Sequence, residues 1–83
     1  MKWKDIKSSA IHSIAYEVDS LYVLFRDGSE WVYNAPYKVF KDWLKAESKG
    51  RFFNMEVRGK FKGVEVWSRT MLGNVLKVDT NIL

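Results

Sequence analysis

The single histidine, His12, is the first residue to test for chemistry, because Ser8, Ser9 and Ser13 lie close to it in the chain. An imidazole works as a general base only when a partner orients it and a substrate pocket completes the arrangement. Serines close in sequence do not supply that geometry. The expectation for His12 is a surface or capping role. Cysteine is absent, which removes thiolate nucleophiles, disulfides and Cys-based metal sites. Metal sites draw on several His, Cys or clustered carboxylates, and the sequence offers no such group. No Gly-rich phosphate loop follows a strand-like run. The residues therefore point away from an enzyme, a metal centre or a cofactor.

Charge is the more informative feature. Between Lys38 and Lys62 lie eight basic residues, namely Lys38, Lys41, Lys45, Lys49, Arg51, Arg58, Lys60 and Lys62. Only Asp42, Glu47 and Glu56 oppose them, a local excess of five in a chain whose net charge is +4. The rest of the chain is close to neutral. Tyr37, Phe52, Phe53 and Phe61 interleave with these cations, a mixture suited to phosphates and stacked bases. The candidate nucleic-acid contacts are Lys41, Lys45, Lys49, Arg51, Arg58, Lys60 and Lys62. The competing reading is a solvated helix face that keeps a small domain soluble.

These residues need elements to position them. From Ser13 the hydrophobic period is two: Ile14, Tyr16 and Val18 alternate with Ser13, Ala15 and Glu17, which predicts a strand. Asp19-Ser20 reads as a turn, and Leu21, Val23 and Phe25 mark a second strand. Asp27-Gly28 signals a hairpin into a third strand, Glu30 to Asn34. A left-handed Gly28 in a bulged loop would set Phe25 opposite Trp31 and Val23 opposite Tyr33. That register gathers the apolar side chains on one face. Tyr16, Trp31 and Tyr33 are then expected in the core. Tyr22, Leu24 and Val32, with Ala15, fall on the opposite face.

Pro36 suits the first position of a helix capped by Asn34 or Ala35 and running to about Ser48. Val39, Phe40, Trp43 and Leu44 form its apolar stripe, Asp42 is spaced to pair with Lys38 or Lys45, and Gly50 is the expected C-cap. Arg51 to Arg58 predicts one or two further helical turns burying Phe52, Met55 or Val57. Val64 to Trp67 reads as a fourth strand. Met1 to Lys7 reads as a polar lead-in. The fold class is α+β: an antiparallel meander of three to four strands, one main helix on one face and a second short helix.

Eighty-three residues suit one domain, 1–83. Its four Trp, four Tyr and five Phe can fill a small core, since each buries about 150–250 Å². A charged start leading into no apolar run does not read as a signal peptide, and no stretch approaches a membrane span. A cysteine-free small domain fits a reducing compartment. The expected location is cytoplasmic, in a bacterium or in a phage-infected host.

Several of these residues together resemble a known family. Ser8-Ser9, Tyr16, the run Leu21…Val23…Phe25…Gly28, Trp31-Val32-Tyr33 and Pro36 are followed by Phe40…Leu44…Ala46…Ser48…Gly50…Phe52-Phe53-Asn54. This order is similar to the KTSC domain, a module named after the C-terminal extension of some lysyl-tRNA synthetases and found also as stand-alone bacterial and phage proteins. Trp31 stands in place of the first residue of the family's Tyr-x-Tyr pair, and Ala35-Pro36 in place of its Val-Pro. The resemblance spans residues 8–61 and leaves 62–83 as an extra strand and C-terminal tail. Through the family's attachment to a tRNA synthetase it implies an association with RNA, and it carries over no catalytic residues.

Two functions follow as expectations. One is an RNA-binding module using the basic helix and loop face. The other is a protein-interaction module, such as a phage protein that modulates a host protein, with Tyr22, Leu24, Val32 and Trp67 at the interface. Tryptophan, tyrosine and arginine dominate such hot spots. A monomer or homodimer is compatible with either.

Overall fold

The computed structural model describes residues 1–66. Five antiparallel strands form one sheet in the order β1-β2-β3-β4-β5. They are β1 (Lys4–Asp5), β2 (Ile11–Glu17), β3 (Ser20–Phe25), β4 (Glu30–Asn34) and β5 (Gly63–Val66). Between β4 and β5 the chain forms α1 (Tyr37–Lys45) and α2 (Lys49–Phe52), the latter continuing in wider π geometry over Phe53–Arg58. The α+β meander expected from the sequence is present, with five strands rather than three to four. The additional strand is β1. Its residues Lys4 and Asp5 show no apolar alternation, but the backbone pairs with Ile14 and Ser13 and the Ile6 that follows is buried.

The first hairpin turns one residue earlier than expected. Glu17 pairs with Ser20, so Val18-Asp19 is the two-residue loop, with φ of 43° at Val18 and 61° at Asp19. Positive φ at both central positions belongs to the turn whose twist matches paired strands. Tyr16 consequently faces Leu21, and Ile14 faces Val23. In the second hairpin Gly28 is left-handed at φ 95°, as expected. Phe25 N donates to Ser29 O at 2.8 Å. Val23, not Phe25, faces Trp31, and Leu21 rather than Val23 faces Tyr33. Both corrections slide the pairing by an even number of residues, so the paired side chains keep their expected faces, whereas Val18, expected in the strand, is exposed in the loop.

The helical layer covers that face. Ile11, Ile14, Leu21, Val23 and Tyr33 from the sheet meet Phe40, Trp43, Phe53 and Val57 from the helices in one core. Val39, Leu44, Tyr16 and Trp31 pack against it, partly buried. Tyr16 reaches across to donate its hydroxyl to Ala35 O at 2.8 Å. Phe53 is a hub, with its ring 5.5 Å from Phe25, 5.8 Å from Tyr33 and 5.6 Å from Trp43. Such offset and edge contacts add about 0.5–1.5 kcal/mol each beyond area burial.

The helices differ from the sequence reading at their ends. Pro36 is the N-cap rather than the first helical residue. α1 stops at Lys45, because Ala46 turns extended at φ −67° and ψ 140°. Gly50 therefore lies inside α2 instead of capping α1. Ser48 starts α2, its hydroxyl accepting from Arg51 N at 3.3 Å. The second helical segment buries Phe53 and Val57, while Met55 is exposed and Phe52 only partly covered. Val57 is thus buried as expected, and Phe53 rather than Phe52 or Met55 joins it in the core.

Candidate binding site

His12 is exposed, and its Nδ1 lies 3.1 Å from Ser13 Oγ. Ser8 is occupied as a local cap, its Oγ accepting from Ala10 N at 3.2 Å and Ile11 N at 3.3 Å. Among the described residues no group of three or more His, Asp or Glu side chains is arranged to hold a metal ion.

The basic candidates separate into groups. Lys38, Lys41 and Lys45 share one exposed stripe of α1, at spacings of three and four residues. Lys38 Nζ pairs with Asp42 Oδ2 at 2.6 Å, and that hydrogen bond holds the Asp42 carboxyl below its usual range. Lys41 Nζ lies 5.9 Å from the centre of the Tyr37 ring, which is itself exposed. This places a cation and an accessible aromatic side by side. Lys60 pairs with Glu56 at 2.9 Å. Among the described residues, no carboxylate pairs with Lys41, Lys45, Arg51, Arg58 or Lys62.

Lys49 does not belong with them. Its ammonium donates to Trp43 O at 3.1 Å, Leu44 O at 2.7 Å and Ala46 O at 2.6 Å. Leu44 O and Ala46 O lie where the end of α1 leaves carbonyls without helical partners, while Trp43 O also accepts from Ala46 N at 3.1 Å. All three ammonium protons are engaged. Lys49 is thus a structural clasp rather than a phosphate contact. Its position past the helix end is the only signal in the sequence, and it becomes legible once α1 is known to stop at Lys45.

The opposite face of the sheet carries the other candidates. Ala15, Tyr22 and Val32 align across β2, β3 and β4, and Val64 of β5 faces Val32. Tyr22, Leu24 and Val32 are partly buried. Trp3 meets Tyr22 edge-on, with ring centres 6.4 Å apart. Val64 is 59% exposed, leaving an apolar step beside Val32. Trp67 lies outside the described residues.

One feature was not expected from the sequence. A cleft of about 390 Å³ opens between the second hairpin and the π-helical segment. The sheet side supplies Phe25, Trp31 and Tyr33, and the helical side supplies Phe53 and Arg58. Phe61 and Gly63 close it along the entry to β5, and Asp27 and Ser29 form its rim at the hairpin tip. Asp27 Oδ1 accepts from Ser29 N at 2.8 Å and from Ser29 Oγ at 2.7 Å, which lowers its carboxyl pKa. Burial raises the Tyr33 phenol above its ordinary value, and the Arg58 guanidinium partly offsets this. Gly63 is required here: a Cβ at that position would collide with the Tyr33 ring. The aromatics lie far apart in sequence, so no local spacing announces the cleft.

Known proteins share this architecture. The family model described as the KTSC domain matches residues 7–61. A protein of Tsukamurella paurometabola is 39% identical over 62 residues, covering 71% of this chain and 92% of its own length. The crystal structure of a KTSC domain protein from Yersinia pestis superposes with a TM-score of 0.72 at 33% identity. That likeness covers 80% of this chain and 97% of the Yersinia chain.

Proposed function

The chain belongs to the KTSC domain family, and from that premise we propose that it is a non-catalytic binding module whose helical layer contacts the phosphates of RNA. The observation that carries this reading is the exposed stripe of α1. There Lys41 and Lys45 have no carboxylate partner among the described residues, and Lys41 lies against the exposed Tyr37 ring. Arg51, Arg58 and Lys62 add exposed cations from the following segment. Ammonium and guanidinium groups free to release phosphate counterions supply affinity, and an accessible ring supplies a stacking platform. Lys38 and Lys60 are already paired and Lys49 is engaged internally, so they contribute less. Among the described residues no helix is long and apolar enough to cross a membrane, and a cytoplasmic setting is part of the proposal.

A second reading places a protein partner on the outer sheet face. It is supported by the exposed Val64 beside Val32.

Fluorescence anisotropy with labelled single-stranded RNA, tRNA and duplex DNA tests the first reading. Binding that weakens steeply between about 50 and about 200 mM salt, and that is lost in the triple variant Lys41→Glu, Lys45→Glu, Arg51→Glu, supports it. No binding at the lower salt overturns it and turns attention to the sheet face.

A further inference from the structure

We propose that the cleft between the second hairpin and the π-helical segment is a binding site for a single nucleotide, meaning a planar heteroaromatic ring that carries a phosphate. Three features of the site define this ligand. First, the walls are aromatic on both sides, with Trp31 and Phe25 from the sheet and Phe61 and Phe53 from the segment that leads back to it. Such walls favour a flat π-system, because stacking and edge contacts are available from both sides. Second, the lining carries both signs of charge. Arg58 offers an exposed guanidinium whose planar fork matches phosphate oxygens. Asp27 offers a carboxylate at the hairpin rim, with only Oδ1 held by Ser29, so that it can accept from an exocyclic amine. An apolar ligand would leave both charges unused, and a simple anion would leave the aromatic walls unused. Third, the volume of about 390 Å³ falls in the range of small-molecule sites.

The site stands on construction as well as composition. Gly63 lacks a Cβ where one would strike the Tyr33 ring, so the ring packs directly against the β5 backbone at the cleft, which both residues line. Arg58 ends a stretch of π geometry, and π-helical turns recur at functional sites. A free nucleotide and an unpaired nucleotide within a strand present the same chemistry to this cleft. The proposal does not depend on the basic stripe of α1: a free nucleotide would fill the cleft without any strand.

The test is a titration of the isotope-labelled full chain followed by amide, indole and guanidinium NMR signals. Its arms are adenosine monophosphate, adenosine, inorganic phosphate and a short single-stranded oligoadenylate, each to about 5 mM. The expected result is saturable shifts at the Trp31 indole, Phe61 and Arg58 with adenosine monophosphate or with the oligonucleotide. Adenosine should bind at least about tenfold more weakly, a difference of about 1.4 kcal/mol. Arg58→Gln, an exposed position that should leave the fold intact, is expected to remove that difference. Shifts with the free nucleotide assign a mononucleotide site, and shifts with the oligonucleotide alone assign an unpaired base in a strand. Shifts confined to α1 would overturn the cleft while leaving the RNA reading standing. Absence of cleft shifts with every arm, or equal binding by wild type and Arg58→Gln, would also overturn it.

Discussion

Trp43 and Lys49 clasp each other: the Trp43 indole Nε1 donates to Lys49 O at 3.0 Å, and Lys49 Nζ donates back to Trp43 O at 3.1 Å. The pair closes the turn between α1 and α2 around the most deeply buried large side chain of the core. A residue expected to face a phosphate instead fixes the angle at which the second helix meets the first.

Replacing Lys49 by Met keeps much of the stem and removes the three charge-assisted hydrogen bonds. Bonds to charged groups are worth about 1.5–3 kcal/mol, with part of that recovered by water at the helix end. Lys49→Met should lower stability by about 1–3 kcal/mol, whereas Lys45→Met on the exposed stripe should change it by less than about 0.5 kcal/mol. Urea denaturation of both variants, read at the midpoint with unchanged slope, checks the contrast. Equal midpoints would mean that the clasp carries no stability.

The first hairpin holds a strained residue. Val18 is β-branched, has φ of 43° and is 84% exposed, so it contributes little packing to compensate for its backbone. Val18→Asn should raise stability by about 1 kcal/mol, because Asn tolerates the left-handed region. Gly28→Val should do the reverse at φ 95°, costing about 1–3 kcal/mol. A Cβ at Gly28 would touch nothing within 4 Å, so that cost is purely conformational. Thermal melts of the two variants should move in opposite directions.

Tyr33 and Gly63 face each other across β4 and β5, and the ring occupies the space a side chain would need. Gly63→Ala should destabilise by about 1–3 kcal/mol, as overpacking does. Adding Tyr33→Leu should return part of that loss, since the residue in the way is then smaller. A double-mutant cycle measures the coupling. Strictly additive effects would show that the contact is not the cause.

Alkaline pH provides a further test. Burial raises the Tyr33 phenol above its ordinary pKa of 10.0, and burial followed by the nearby Asp19 charge raises that of Tyr16. Above about pH 10 the unfolded chain gives up these protons more readily than the folded one. Their contribution is therefore fully present below the unfolded value and is lost as pH rises through the folded one. Stability should decline above about pH 10, and Tyr33→Phe should shallow the decline. An unchanged slope in that variant would remove Tyr33 from the account.

Much of this fold was legible in the sequence. Period-two alternation in Ile14–Tyr16, Leu21–Phe25 and Trp31–Tyr33 assigned the faces of β2, β3 and β4, and the stripe Val39, Phe40, Trp43, Leu44 assigned the buried side of α1. Gly28 announced its left-handed turn. These are local properties, readable because a side chain's direction follows from its position in the period. Alternation specifies only parity, however. It cannot distinguish registers that differ by two residues, and the pairings Tyr16–Leu21 and Val23–Trp31 were settled by the turns that the assembled sheet could close. β1 likewise arose from pairing with β2 rather than from any pattern of its own. The end of α1, the clasp of Lys49 and the cleft of Trp31, Phe53, Arg58 and Phe61 belong entirely to the tertiary structure. Each joins groups whose partners are distant or sit beyond a bend in the chain, and only packing the helical layer on the sheet brings them within reach.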